Sequence, residues 1–272
     1  MQLRDLEPRD VRPQLTQERR ELLELLSELT ADEWLLPTAA AEWNVKAVVL
    51  HLLDDDLGWL SRLRDGDTSG QLEVEEYRTF VDALDAKNQR WISGAWGLSP
   101  RVIIDLLKFS GEEMDRWWAT LDLTAEGGVI WAGDSVPEWF DIAQDLTERW
   151  VHQMQIREAV GKVGDYAERY LPLVLETFVW ALPHQFRRPA PVGSRINVDL
   201  GLVHSWHLER VHESGRWELN AGPVVEPAAS FAVASDTAWR LLTGAKYDDG
   251  AVTISGDTRL AAGLLGMRGI IV

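Results

Sequence analysis

Two of the six histidines in this 272-residue chain stand where helix periodicity can use them for chemistry. In the segment Thr147-Glu148-Arg149-Trp150-Val151-His152, a carboxylate and an imidazole are four residues apart. On a helix that spacing puts both on one face, one turn apart, as two ligands of a single cation require. His51, inside a second apolar-periodic segment, can supply a third ligand if the two helices lie side by side in a bundle. Two neutral imidazoles with one carboxylate form a catalytic set for zinc or another divalent ion. It leaves positions open for water or substrate, so the ion would act as a Lewis acid. The competing readings are a surface Glu/His pair and a hydrogen-bonded core histidine. Asp54 and Asp55 follow His51 by three and four residues and could orient its ring. The run Asp54-Asp55-Asp56 reads more simply as a solvated acidic face.

The other histidines offer less. His204 and His207 fall on opposite faces of a predicted strand, and His212 lies too far along it from His204 to share an ion. His184 sits at a predicted helix end, where a cation suits the dipole. Most of the 14 tryptophans, among them Trp34, Trp43, Trp59, Trp117, Trp118, Trp139 and Trp150, are expected to pack helix interfaces. There is no phosphate loop, dinucleotide fingerprint or nucleophile elbow. With no cysteine, the chain has no disulfide, no thiolate ligand and no sulfur nucleophile of its own. A net charge of −17 without a basic run argues against nucleic acid and anionic membranes as partners. The start of the chain lacks a secretory core and no stretch is long and apolar enough to span a bilayer, so a cytoplasmic protein is expected.

The elements that must position these residues are helical up to about residue 163. Leu15 to Leu29 carries a broad leucine stripe, and a second helix is predicted from the cap Asn44 to Leu60, ending at Asp65-Gly66-Asp67. A third covers roughly Val74 to Ile92, a fourth follows Pro100, which suits a first helical turn, from Arg101 to Leu121, and a fifth runs from about Pro137 to Val160, stopped by Gly161 and Gly164. A loop is expected between the fourth and fifth. After one further helix, Ala167 to Phe186, the pattern changes to short strands: Ile196 to Leu200, Leu202 to Val211, Arg216 to Leu219, Ser230 to Ala234 and Val252 to Ser255. Two short helices, Asp236 to Leu242 and Thr258 to Leu265, are interleaved, with Asp236 as a cap. The fold class is therefore a two-domain α+β protein. A four-helix bundle occupies 1–164, and a smaller α+β domain with a mostly antiparallel sheet occupies 165–272.

Glu42-Trp43-Asn44-Val45 followed by His51-Leu52 resembles the first metal-binding element of the DinB/YfiT-like helical bundles, and Glu148-Arg149-Trp150-Val151-His152-Gln153 resembles the second. Domain order points within that superfamily to the mycothiol-dependent maleylpyruvate isomerases. Ser235 to Gly244, Val252 to Asp257 and Leu260-Ala261 are similar to the end of the sterol-carrier-like domains attached to such bundles. The resemblance implies that His51, Glu148 and His152 hold a divalent metal, with zinc as the implied ion.

It also implies a low-molecular-weight thiol, mycothiol or similar, as cosubstrate, which fits a chain without cysteine. In an isomerase of this kind the thiolate adds to an activated double bond, rotation follows, and the thiol leaves to give the trans isomer. Thiol transfer is the other activity implied, and a non-catalytic metal-binding or small-ligand-binding, stress-related protein of the DinB-like superfamily is the alternative. The C-terminal domain either binds an apolar ligand of its own or covers one end of the site. The partners expected are a small thiol and a small substrate. Arg149, Arg240 and Arg259 are candidate carboxylate clamps, against the simpler reading of salt bridges.

Overall fold

The computed structural model describes residues 5–40, 43–70, 72, 77–131 and 134–269. It is an α+β protein of the expected class. The N-terminal helices are α1 (Arg12–Ser27), α2 (Val45–Trp59), α3 (Phe80–Ala95), α4 (Pro100–Trp118) and α5 (Glu138–Ala159). Helices α1 and α2 each pack on both α4 and α5, and α3 lies against α2.

Each start has a local cause. Asn44 accepts from the Ala47 amide at the head of α2, Thr79 from Asp82 at α3 and Ser99 from Val102 at α4, and Pro100 opens α4. Helix α5 is buried almost all round from Glu138 to Ile156, the signature of a central helix, whereas α4 has one apolar face.

Three details of this helical part depart from the sequence reading. Helix α3 begins at Phe80; residues 74–76 of the expected helix lie outside the described residues, and Tyr77 to Thr79 form bends. Helix α2 passes at Leu60–Arg64 into a π-helical turn before Asp65. The expected loop before α5 contains an antiparallel hairpin, β1 (Glu126–Trp131) with β2 (Asp134–Pro137). Its Gly127-Gly128 and short strands give no period-two signal long enough to read.

Helix α6 (Tyr166–Phe178) packs on α5 and continues through a 3-10 turn into α7 (Leu182–Gln185). A five-stranded sheet follows: β3 (Arg195–Asp199), β4 (Trp206–Arg210), β5 (Trp217–Ala221), β6 (Ala229–Val233) and β7 (Val252–Gly256). Its order is β5-β4-β3-β6-β7, antiparallel throughout except for the central β3-β6 pair.

Helix α8 (Ser235–Thr243) makes the crossover to β7 and packs on α6, ending at Gly244, whose φ of +73° suits glycine. Asp236 lies in the first turn, not at the cap, because the chain enters the helix at Ala234. Helix α9 (Thr258–Ala261) ends the fold with a 3-10 turn. Alternate strand residues such as Ile196, Val198, Leu208, Leu219 and Phe231 face one apolar core that also contains Trp150, Tyr170, Phe178 and Trp239. Trp150 and Trp239 meet edge to face at 5.4 Å, joining α5 to α8. Among the described residues no helix is long and apolar enough to cross a membrane.

Candidate metal centre

His51 on α2 and Glu148 and His152 on α5 converge, their ligand atoms all within 4.8 Å of one another. His51 Nε2 and His152 Nε2 each lie 2.9 Å from the same oxygen, Glu148 Oε1. The imidazoles meet edge to face with centroids 4.8 Å apart. Both histidines are buried, and the Glu148 side chain keeps 21% of its surface exposed, so the site opens to solvent beside the carboxylate. The pair is therefore not a surface salt bridge. His152 Nδ1–H donates to Gln155 Oε1 at 2.8 Å, which leaves the Nε2 lone pair facing Glu148. A lone pair against a carboxylate is repulsive unless a cation, metal or proton, lies between them. Among the described residues, His51 Nδ1 is buried without a hydrogen-bond partner.

Helix geometry and one loop hold this set. A bridge between Pro37 and Asn44, with Thr38 Oγ1 donating to the Trp43 carbonyl, closes the turn into α2. The turn delivers Trp43 against both imidazoles, 5.0 Å from His51 and 6.1 Å from His152 between ring centroids. Glu42, part of the sequence motif, lies outside the described residues. A cavity of about 560 Å³ shares Trp43 as a wall and is lined also by Asn44, Gln89, Ile92 and Trp96.

The charges of the site depend on one another. Burial opposes charge on His51, but Asp55 and Glu148 outweigh it and raise its pKa to about 9. Burial likewise raises Glu148, yet the two imidazoles win and hold it well below the usual carboxylate range. Asp55 is raised to about 6, by burial first and by the Glu148 charge, against the lowering effect of His51.

The acidic run after His51 is not a solvated face. Asp54 is buried in an ion pair with Lys87. Asp56 is fully buried, accepting from Arg149, from Ser110 Oγ at 2.6 Å and from Arg19 at 3.4 Å. Asp55 Oδ2 lies 3.4 Å from His51 Nε2. Arg149 is neither a substrate clamp nor a surface salt bridge: it is buried, with Nε donating to Asp145 at 2.6 Å and Nη2 to Asp56. Arg240 pairs with Glu158, and Arg259 is exposed on α9. Arg19 reaches this network because position 111 on α4 is glycine, where a Cβ would fall on the arginine side chain. Outside the site, His204 precedes β4 in an exposed bend, and His207 Nδ1–H donates to the Gly222 carbonyl.

Trp43, which the sequence reading placed in the first motif but assigned to packing, and Gln155, to which it gave no role, both belong to the site. Gln155 follows His152 by three residues, a spacing that could have signalled it, whereas nothing in the sequence ties Asp56 to Arg149.

The Mycothiol maleylpyruvate isomerase N-terminal domain family matches residues 15–157, more than half of the chain. The protein belongs to this family. Its helices α1 to α5 fall almost wholly within the matched span, which contains all three members of the cluster. A crystal structure of the mycothiol-dependent maleylpyruvate isomerase superposes with a TM-score of 0.54 at 16% identity, covering 94% of this chain and 95% of that one. A mutant of that isomerase with alanine in place of a histidine superposes with a TM-score of 0.55 at 15% identity and the same coverage. At these identities the likeness is one of fold, and it extends over both the helical and the sheet-bearing parts. No curated protein matches the chain.

Proposed function

We propose that the protein is a metal-dependent enzyme that uses an external mycothiol-like thiol for isomerisation or thiol transfer on a small substrate. His51, Glu148 and His152 are the proposed metal ligands and zinc the proposed ion. The observation that carries this reading is the convergence of two imidazoles and one carboxylate on a single point, in a family member without any cysteine. The donor set fits: N and O ligands from two helices, one imidazole fixed by Gln155, and an exposed side at Glu148. A divalent ion bound there lowers the pKa of a thiol ligand, so that thiolate is available near neutral pH.

The rest is done by the chain. The Gln155 carbonyl holds the His152 ring in the tautomer that presents Nε2 to the ligand cluster. Trp43 and the buried faces of α2 and α5 exclude water from the imidazoles and sharpen the local electrostatics. The buried Asp56–Arg149–Asp145 bridge fixes α2 against α5 and so sets the distance between His51 and its partners. The cavity beside Trp43 provides room for the body of the thiol or substrate. We place the division between the metal-binding bundle and the C-terminal α+β domain at 164/165, and the site of action in the cytoplasm.

Zinc-loaded protein given mycothiol and maleylpyruvate tests the activity. Isomerisation that requires both zinc and thiol supports the reading. A protein that binds zinc but neither responds spectroscopically to thiol nor turns over would instead be a metal-binding protein without this chemistry.

A further inference from the structure

Three consecutive aspartates on α2 have three different fates. Asp54 is neutralised by Lys87 and Asp56 by Arg149 and Arg19. Asp55 keeps 20% of its side-chain surface exposed, and its only ion pair among the described residues is with His51. The side of the ring it approaches is decisive. A carboxylate that merely orients a ligating imidazole bonds the nitrogen turned away from the metal. Asp55 Oδ2 instead lies 3.4 Å from Nε2, the nitrogen that also faces Glu148, while Nδ1 of the same ring has no hydrogen-bond partner among the described residues. Asp55 thus borders, through His51 Nε2, the point on which His51, Glu148 and His152 converge, and Lys87, whose charge reaches it, is already paired with Asp54.

The spacing repeats the logic of α5. His51 and Asp55 are four apart on α2 as Glu148 and His152 are on α5, so each helix presents one imidazole and one carboxylate to the point where they meet. We propose that Asp55 is a fourth, exchangeable ligand of the cation held by His51, Glu148 and His152, closing the site until an external thiolate displaces it. The inference rests on the triad holding a metal. In the exchange one metal–oxygen bond breaks as one metal–sulfur bond forms. One anionic donor replaces another, and the thiol proton passes to water. The two carboxylates neutralise a divalent ion in the resting site, and the partial exposure of Asp55 gives it room to swing out.

The test compares wild type, Asp55→Asn and Asp54→Asn. Zinc affinity is read by competition with a chromophoric chelator, and coordination by the visible spectrum of the cobalt-loaded proteins with and without mycothiol. The expected result is a zinc affinity lowered on the order of 10- to 100-fold in Asp55→Asn, the scale on which loss of a ligand's partner already acts. Its thiol-free cobalt spectrum is altered, and the spectra of wild type and Asp55→Asn become alike once thiol is added. Asp54→Asn removes the same charge nearby and leaves the cobalt spectrum unchanged. An Asp55→Asn protein with a wild-type thiol-free cobalt spectrum overturns the proposal while leaving the triad intact. A wild type that binds neither zinc nor cobalt overturns the triad itself, and this inference with it.

Discussion

Two buried polar clusters lie side by side on α2 and α5, and they are built on opposite principles. In the cluster around Asp56, the carboxylates of Asp56 and Asp145 meet the guanidinium of Arg149, and Arg19 and Ser110 complete the set. Its charges are neutralised within the chain. In the cluster around Glu148, carboxylates meet imidazoles, and the balancing positive charge is either a proton on an imidazole, as the raised pKa of His51 allows, or a cation from outside. They differ in exposure too, since Asp56 and Arg149 are fully buried whereas the Glu148 and Asp55 side chains keep 21% and 20% of their surface exposed. What separates them is that one holds the permanent charge of Arg149 and the other only titratable imidazoles, which on the function proposed above makes one a clamp and the other a metal site.

The sharpest way to break the comparison is to remove the counter-charge from the self-contained cluster. Arg149→Ala leaves Asp145 buried without its arginine and Asp56 with only Ser110 and the longer Arg19 contact, and should cost about 3–5 kcal/mol, seen as a large fall in the denaturant midpoint. A small loss would mean that water or relaxation already satisfies those acids.

Glu18 sharpens the contrast through pH. It is fully buried beside Tyr166, and burial lifts its pKa from 4.5 to about 7 against the lowering effects of Arg149 and Arg19. The folded state therefore holds a proton that the unfolded state has released. The corresponding stability is fully present below about pH 4.5 and is lost as pH rises through about 7. Glu18→Gln should flatten that slope in urea unfolding and stabilise the protein at pH 8 by up to about 3 kcal/mol.

Gln155→Ala acts on the other cluster. It frees the His152 ring and should weaken zinc binding by about 10- to 100-fold with little change in the stability of the metal-free protein. The smallest effect is expected at the entry to α2, where Asn44→Ala removes the cap and costs about 1 kcal/mol, read as a lower melting temperature with zinc stoichiometry unchanged.

What the sequence made legible follows the same division. The five long helices and the strand series were readable because their signals are local: leucine periodicity, Asn44 and Pro100 at helix starts, and glycines at the stops. Glu148 and His152 were readable as a pair from their four-residue spacing, whereas His51 joined them through the resemblance of the two motifs to the metal-binding bundles. The fates of Asp54, Asp55 and Asp56 were not, since a run of acids has the same pattern whether it faces water or arginines 37 to 93 residues away in the chain. The β1-β2 hairpin escaped for lack of length, and the start of α3 because the apolar pattern near it extends beyond its cap, Thr79.

The central claim is that the outside cation is a metal held by this triad. Metal content of protein purified without chelator or affinity metal, then incubated with zinc and desalted, tests it directly in wild type, His51→Ala and His152→Ala. The account predicts close to one zinc per chain in wild type and none in either variant, with helical circular dichroism unchanged in all three. Wild type without bound zinc, or both variants retaining it, would contradict the account and leave Glu148 an acid shared between two structural histidines.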